Sequence, residues 1–221
     1  MVALIPARDE ADLVSGTVSA LLSLSVDEVV VVDDASSDGT AWAALEAGAT
    51  VLRIPVHAGK GRAVEGALAR LPAADLWLLA DADLGSSAAG LGSLLDEVLS
   101  GGSDLAVAVF PDMSGGGFGM VKRFAARMIR SIVGLEVREP LSGQRAVSAD
   151  CLDACRPLAP GFGLETAMTI DAARGGFAIA ELEVPGLTHR STGRSVRGFL
   201  HRGRQGLDIL IAVTARAVRL R

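Results

Sequence analysis

The stretch Glu28-Val29-Val30-Val31-Val32-Asp33-Asp34-Ala35-Ser36-Ser37-Asp38-Gly39-Thr40 decides how the chain must be read. Consecutive β-branched valines are stiff and pack well on a pleated surface, and an unbroken apolar run of this length suits a strand buried on both faces. The run stops at two carboxylates and a turn-rich segment, where the hydroxyl of Ser36 or Ser37 can cap a following helix. Capping does not account for Asp33 and Asp34, adjacent acids that repel unless a cation or a hydrogen-bond donor sits between them.

Outward from this stretch the same beat repeats. Apolar runs at residues 2–5, 50–54 and 75–80 join the one at 28–32, and each is followed by an amphipathic stretch, at 12–24, 39–47, 61–71 and 88–99. Short apolar strands alternating with helices predict an α/β fold, a mostly parallel central sheet with helices on both faces. Past a strand at 104–109 comes a loop with Gly115, Gly116, Gly117 and Gly119, then a helix at 120–133, a strand at 143–148, a helix at 164–174 and a strand at 178–184. An Arg-rich helix is expected from residue 196. No long Ser/Pro/Gly linker interrupts the chain, so residues 1–221 are expected to form one domain, with 1–110 and 111–221 as its halves.

Bulk properties narrow the classes. No run approaches the roughly 20 apolar residues that cross a bilayer, and the opening MVALIPARDE meets charge too early for a signal peptide; a cytoplasmic location is the expectation. Cys151 and Cys155 are too few for a thiolate metal site and read as apolar filler. Residues 1–110 carry 5 Lys/Arg against 16 Asp/Glu, and residues 111–221 carry 16 against 10. An acidic half suits a divalent cation with its phosphates, and a basic half suits a second anionic group. With no Tyr and few aromatics, the chain lacks a stacking surface for nucleic acid.

Ligands of open α/β sheets bind at the carboxyl ends of the strands, and here those ends are acidic. Asp81-Ala82-Asp83 follows the fourth strand, and alternation puts its two carboxylates on one side, where they can share a hard cation, magnesium or manganese. Between the acidic ends lies His57-Ala58-Gly59-Lys60-Gly61-Arg62-Ala63 at a helix start, where backbone N–H groups and cations attract anions. A solvated basic loop explains the same residues. The spacing is not that of a Walker A loop.

Taken in order, Ile5-Pro6-Ala7-Arg8-Asp9-Glu10, Val32 to Thr40, Gly59-Lys60-Gly61 and Asp81-Ala82-Asp83 resemble the donor half of family-2 glycosyltransferases. Downstream, Glu139-Pro140-Leu141-Ser142-Gly143-Gln144-Arg145 resembles the Asp-x-x-Ser-Gly-Phe-Arg segment of the branch with the polyprenyl-phosphate sugar transferases. The resemblance implies a GT-A, Rossmann-like nucleotide-binding fold and metal-dependent, inverting transfer from a nucleotide diphosphate sugar. Base recognition rests on loop backbone groups that no motif fixes, and UDP is favoured over GDP as an expectation only. It implies that Pro6, Ala7, Arg8, Asp9 and Glu10 close on the nucleotide, with Asp33, Asp34, Lys60, Gly61 and Ala82 also at the donor. Asp81 and Asp83 would meet the metal, the ribose and the diphosphate. Arg145, Arg190 and Arg194 are candidates for gripping phosphate, and a structural pairing with a carboxylate serves any one of them equally. Asp9 stands where the family often has Asn, and Glu139 where it often has Asp; Glu139 or Glu165 becomes a candidate base if the acceptor is a hydroxyl.

The acceptor is read from the basic half. Lys122, Arg123, Arg127 and Arg130 interleave with Phe124, Met128 and Ile132, and the tail holds His189, Arg190, Arg194, Arg197, His201, Arg202 and Arg204 among Val196, Phe199 and Leu200. Basic residues mixed with exposed apolar ones suit an anionic lipid surface, hence a polyprenyl-phosphate acceptor and peripheral attachment to the inner membrane face; an amphipathic helix packed on the sheet explains the same pattern. The alternatives are transfer to a soluble phosphorylated acid, as in the glucosyl-phosphoglycerate synthases that the chain also resembles around Gly59-Lys60-Gly61, and a nucleotide-sugar-binding protein without turnover. A sugar nucleotidyltransferase would have a Gly-rich loop where Pro6 to Glu10 stands.

Overall fold

Apolar alternation in the first two strands divides the interior. In the computed structural model, which describes residues 1–110, 118–188 and 207–216, Ala3, Ile5, Ala7, Val29 and Val31 enter one apolar cluster. Val2, Leu4, Val30 and Val32 enter a second on the opposite face. Side chains two apart share a face of a strand, so a sheet covered on both sides needs uninterrupted apolar strands. That is why the valine run carries no polar residue until Asp33.

The strands are β1 (Val2–Ala7), β2 (Glu28–Asp34), β3 (Thr50–Ile54), β4 (Leu76–Leu79), β5 (Leu105–Val109), β6 (Arg145–Ser148) and β7 (Ile179–Glu183), in one sheet of order β3-β2-β1-β4-β6-β5-β7. All pairings are parallel except those of β6, which runs antiparallel to β4 and β5. The strand order turns back on itself at β1, with β2 on one side and β4 on the other. Such a switch point opens a crevice beyond the strand ends, and the acidic segments line this one.

Helices α1 (Val14–Leu22), α2 (Thr40–Glu46) and α4 (Gly92–Leu99) contribute to the first apolar cluster, together with the 3-10 segment Gly85–Leu91. Helices α3 (Lys60–Leu68), α6 (Ala149–Ala154) and α7 (Leu164–Arg174) contribute to the second. Cys151 and Cys155 are buried there as free thiols, as expected. The expected cap from Ser36 or Ser37 is not made. Helix α2 starts at Thr40, whose N–H and hydroxyl both bond Asp38, while Ser36 and Ser37 bond Asp9 instead.

A third cluster joins α5 (Phe118–Val133), α7 and α8, a helix over residues 207–216: Ala125 and Ile129 meet Ile170, Ile209 and Val213. Phe124, Met128 and Ile132 pack against this cluster. The expectation that these residues stand exposed among the basic ones is thereby corrected. Helix α5 is an amphipathic helix that turns its apolar face inward. Among the described residues no helix is long and apolar enough to cross a membrane.

Candidate functional site

The loops after β1 and β2 form one unit. Asp9 and Ala35 both take left-handed backbone conformations, φ 55° and 58°, which turn the two loops toward each other. The Asp9 N–H donates to Ser36 Oγ at 3.0 Å, and the Ser37 N–H and hydroxyl donate to Asp9 Oδ1 at 2.8 and 3.0 Å. The Glu10 N–H donates to Thr40 Oγ1 at 2.8 Å, and the Ala11 N–H to Asp38 Oδ2 at 3.2 Å. Asp9, though exposed, therefore engages its carboxylate in bonds that stitch the two loops. Pro6 is half-buried and Ala7 buried within β1, and Arg8 is exposed with its Nε 3.7 Å from Asp9 Oδ2.

Asp33 and Asp34 avoid mutual repulsion because each has its own donors. Asp33, 1% exposed, accepts from Arg53 Nε at 3.2 Å and from the Ser36 N–H at 3.0 Å. Asp34 accepts from the Ala58 and Gly59 N–H groups at 2.7 and 2.8 Å and lies 2.7 Å from His57 Nδ1. A carboxylate at a helix N-terminus complements the helix dipole, so Asp34 sets where α3 begins and hence where Lys60 stands.

Lys60 opens α3, and its side chain is largely buried. Its Nζ lies 2.6 Å from Asp81 Oδ1 and 2.7 Å from Glu165 Oε1 in the first turn of α7. Burial works to lower the Lys60 ammonium, but the two carboxylates outweigh it and hold its pKa above the ordinary lysine range. The other Asp81 oxygen, Oδ2, accepts from Gln144 Nε2 at 2.9 Å. Gly143 admits this arrangement, since a β-carbon there would press on Lys60 Nζ and stand 2.7 Å from both Asp81 oxygens. Gly61 has a packing reason instead. A β-carbon at Gly61 would overlap the Ala159 carbonyl oxygen and sit 3.0 Å from its carbon.

The loop carrying Asp81, Ala82 and Asp83 is pinned from below by Thr17 of α1. The Thr17 hydroxyl donates to the Ala82 carbonyl at 2.8 Å and accepts from the Gly85 N–H at 2.8 Å. Ala82 is buried, and both carboxylates are partly accessible. Among the described residues no three His, Cys, Asp or Glu side chains form a ready-made cation cage. Two carboxylates on one loop fit the other kind of magnesium or manganese site, completed by waters and ligand phosphates.

Two expected residues have structural partners. Arg145 is 1% exposed, donates from Nε to the Ser142 carbonyl at 2.8 Å and from Nη1 to Thr169 Oγ1 at 3.0 Å, and so holds β6 to α7 inside the core. Burial pushes its pKa down, with Glu165 opposing. This placement corrects the expectation of a phosphate grip, for which the guanidinium has no accessible face. Glu139 is ion-paired with Lys122 of α5, and its N–H donates to Glu181 Oε1 at 2.7 Å. Arg190 and Arg194, with the rest of the basic tail through Arg204, lie outside the described residues.

Thr17 and Gln144 were not singled out from the sequence. A buried Thr within an amphipathic helix was the available sign for the first, and for the second a polar residue where the resembled motif has Phe.

Fold and site together define a nucleotide-binding α/β protein of the switch-point kind. The chain matches the family described as glycosyl transferase family 2 over residues 2–146 and belongs to that family. It is 30% identical over 177 residues to glycosyltransferase AglJ of Haloferax volcanii, covering 78% of this chain and 58% of that protein. It is 29% identical over 225 residues to glucosyl-3-phosphoglycerate synthase of Mycolicibacterium paratuberculosis, covering 90% of this chain and 68% of that one. The glucosyl-3-phosphoglycerate synthase of Mycobacterium tuberculosis, solved with Mg2+ and uridine diphosphate, superposes with a TM-score of 0.83 at 26% identity, covering 98% of this chain and 78% of that one. The same enzyme has been solved with Mn2+, UDP-glucose and phosphoglyceric acid. The chain thus spans between about three fifths and four fifths of the length of these relatives.

Proposed function

We propose that this protein transfers a sugar from a UDP-sugar, with magnesium or manganese, to a small soluble acid that carries a phosphate. The observation that carries the reading is the Lys60–Asp81–Glu165 cluster at the switch point of a family-2 chain. UDP is favoured because the structurally similar mycobacterial enzyme was solved with it.

The ammonium on Asp81 Oδ1 disfavours a second cation on the same oxygen, so Asp83 is the carboxylate we assign to the metal and Asp81 the one that accepts from donor hydroxyls. A metal bound there supplies Lewis-acid neutralisation of the departing nucleoside diphosphate. The protein's own part is positioning: the stitched loops hold the nucleotide side, and Asp34 and Thr17 fix α3 and the Asp83 loop.

The soluble acceptor takes precedence over the polyprenyl phosphate expected from the basic residues. The apolar partners of the α5 cations are packed inward, and phosphoglyceric acid accompanies UDP-glucose in the mycobacterial enzyme.

The test is binding and turnover of UDP- and GDP-sugars with manganese or magnesium, for the native chain and Asp83→Ala. Phosphoglycerate and a polyprenyl phosphate in detergent serve as the two acceptors. Metal-dependent UDP-sugar binding that Asp83→Ala abolishes, with transfer to phosphoglycerate, is the expected result. Transfer to the polyprenyl phosphate alone would restore the lipid reading, and binding without transfer to any acceptor would leave a binding protein. The anomeric proton coupling of the product decides whether transfer inverts.

A further inference from the structure

We infer that Gln144 is a positioning residue that fixes the Asp81 carboxylate, through a two-point amide clamp. The inference deepens the donor-site reading above and rests on it. Gln144 is 1% exposed and touches Asp81 at both ends of its amide: Oε1 accepts from the Asp81 N–H at 3.3 Å, and Nε2 donates to Asp81 Oδ2 at 2.9 Å. The amide has one workable orientation. A backbone N–H only donates and a carboxylate only accepts, so a flipped amide would set donor against donor and acceptor against acceptor.

The clamp is itself anchored. The Gln144 carbonyl accepts from the Ala108 N–H at 3.0 Å, which ties its backbone to β5 at the start of β6. Lys60 takes Asp81 Oδ1 while Gln144 takes Oδ2. The carboxylate is therefore oriented from two sides, and Gly143, the neighbour of Gln144, leaves the room in which they meet. Lys60 supplies attraction, but an ammonium on a flexible stem does not define a plane; the Gln144 amide does, because it also grips the Asp81 backbone. Phenylalanine, which the resembled Ser-Gly-Phe-Arg motif has at this place, can make neither bond.

The experiment is a double-mutant cycle read by titration of UDP in manganese: the native chain, Gln144→Met, Asp81→Ala and the double variant. A hydrogen bond to a charged group sets the scale, so Gln144→Met is expected to weaken UDP binding about tenfold in the native background. In the Asp81→Ala background it is expected to cost less than about twofold, because a residue acting through the Asp81 side chain has nothing left to position. Equal losses in both backgrounds, or none in either, would overturn the inference. Hydrogen exchange of the Gln144 side-chain NH2, followed by NMR, needs neither ligand nor a Gln144 variant. Slow exchange that becomes fast in Asp81→Ala supports the clamp, and fast exchange in the native chain refutes it. A native chain that binds no UDP while that NH2 stays protected would sink the transferase reading and leave the clamp standing.

Discussion

Lys60 Nζ lies 2.7 Å from Glu165 Oε1 and 2.6 Å from Asp81 Oδ1, so one ammonium ties α3 to α7 and to the loop after β4. Removing it leaves two carboxylates facing each other. Breaking a buried pair by deleting one partner costs about 3–5 kcal/mol; with Asp81 35% exposed, we expect about 2 kcal/mol for Lys60→Met. Because the folded pKa of Lys60 is raised, its contribution is complete below the unfolded value of about 10.4 and is lost as pH rises through the folded one. Urea denaturation of both chains should show a difference that is flat from about pH 7 to about pH 9 and shrinks only in stronger alkali.

Gly143→Ala separates function from stability. The three atoms nearest the added methyl are the ends of two side chains, Lys60 and Asp81, so the fold can absorb it by moving them. Expected are a thermal midpoint within a few degrees of the native one, roughly the effect of 1 kcal/mol or less, and metal-dependent UDP binding at least about tenfold weaker, the scale of one lost charged hydrogen bond. Unchanged binding would show that the Asp81 position does not matter to the donor.

What the sequence made legible follows from where its signals are local. Four valines ending in Asp33 and Asp34 announce a buried strand and an acidic strand end, and Asp81-Ala82-Asp83 announces another. The partners of these acids come from far along the chain: His57 for Asp34, Lys60 and Gln144 for Asp81, Glu165 for Lys60. No local pattern encodes such pairings. Arg145 shows the reverse error, since an Arg within a resembled motif reads as a ligand hook, and only the pairing of β6 between β4 and β5 reveals that it is enclosed. The antiparallel sense of β6 was likewise hidden, because a four-residue strand carries no mark of its direction.

Gly61→Ala should act through the backbone. Its β-carbon would collide with the Ala159 carbonyl, which is main chain and cannot swing aside as a side chain does. Overpacking of this kind costs about 1–3 kcal/mol. A lower urea midpoint with an unchanged slope is the expected outcome, and a native midpoint would mean that α3 and the segment at Ala159 are not in contact as described.

Asp171 and Arg216 test how α8 is held. Arg216 donates from Nη2 and Nε to Asp171 Oδ2 at 2.7 and 3.0 Å, with side-chain exposures of 8% and 7%, and Arg174 Nη1 donates to the Arg216 carbonyl at 2.7 Å. Asp171→Ala strands a buried guanidinium, a loss of about 3–5 kcal/mol if the site stays closed. Opening the helix at residues 207–216 relieves that penalty at the cost of exposing Ile209 and Val213, which are buried against α5 and α7. Local opening can therefore compete with global unfolding. Hydrogen exchange should lose protection over 207–216 while the amides of β1, β2 and β4 keep theirs. The pair Asp171→Leu with Arg216→Met should recover most of that protection, because two apolar side chains carry no desolvation penalty. If the double variant opens as readily as Asp171→Ala, the ion pair is not what holds the helix.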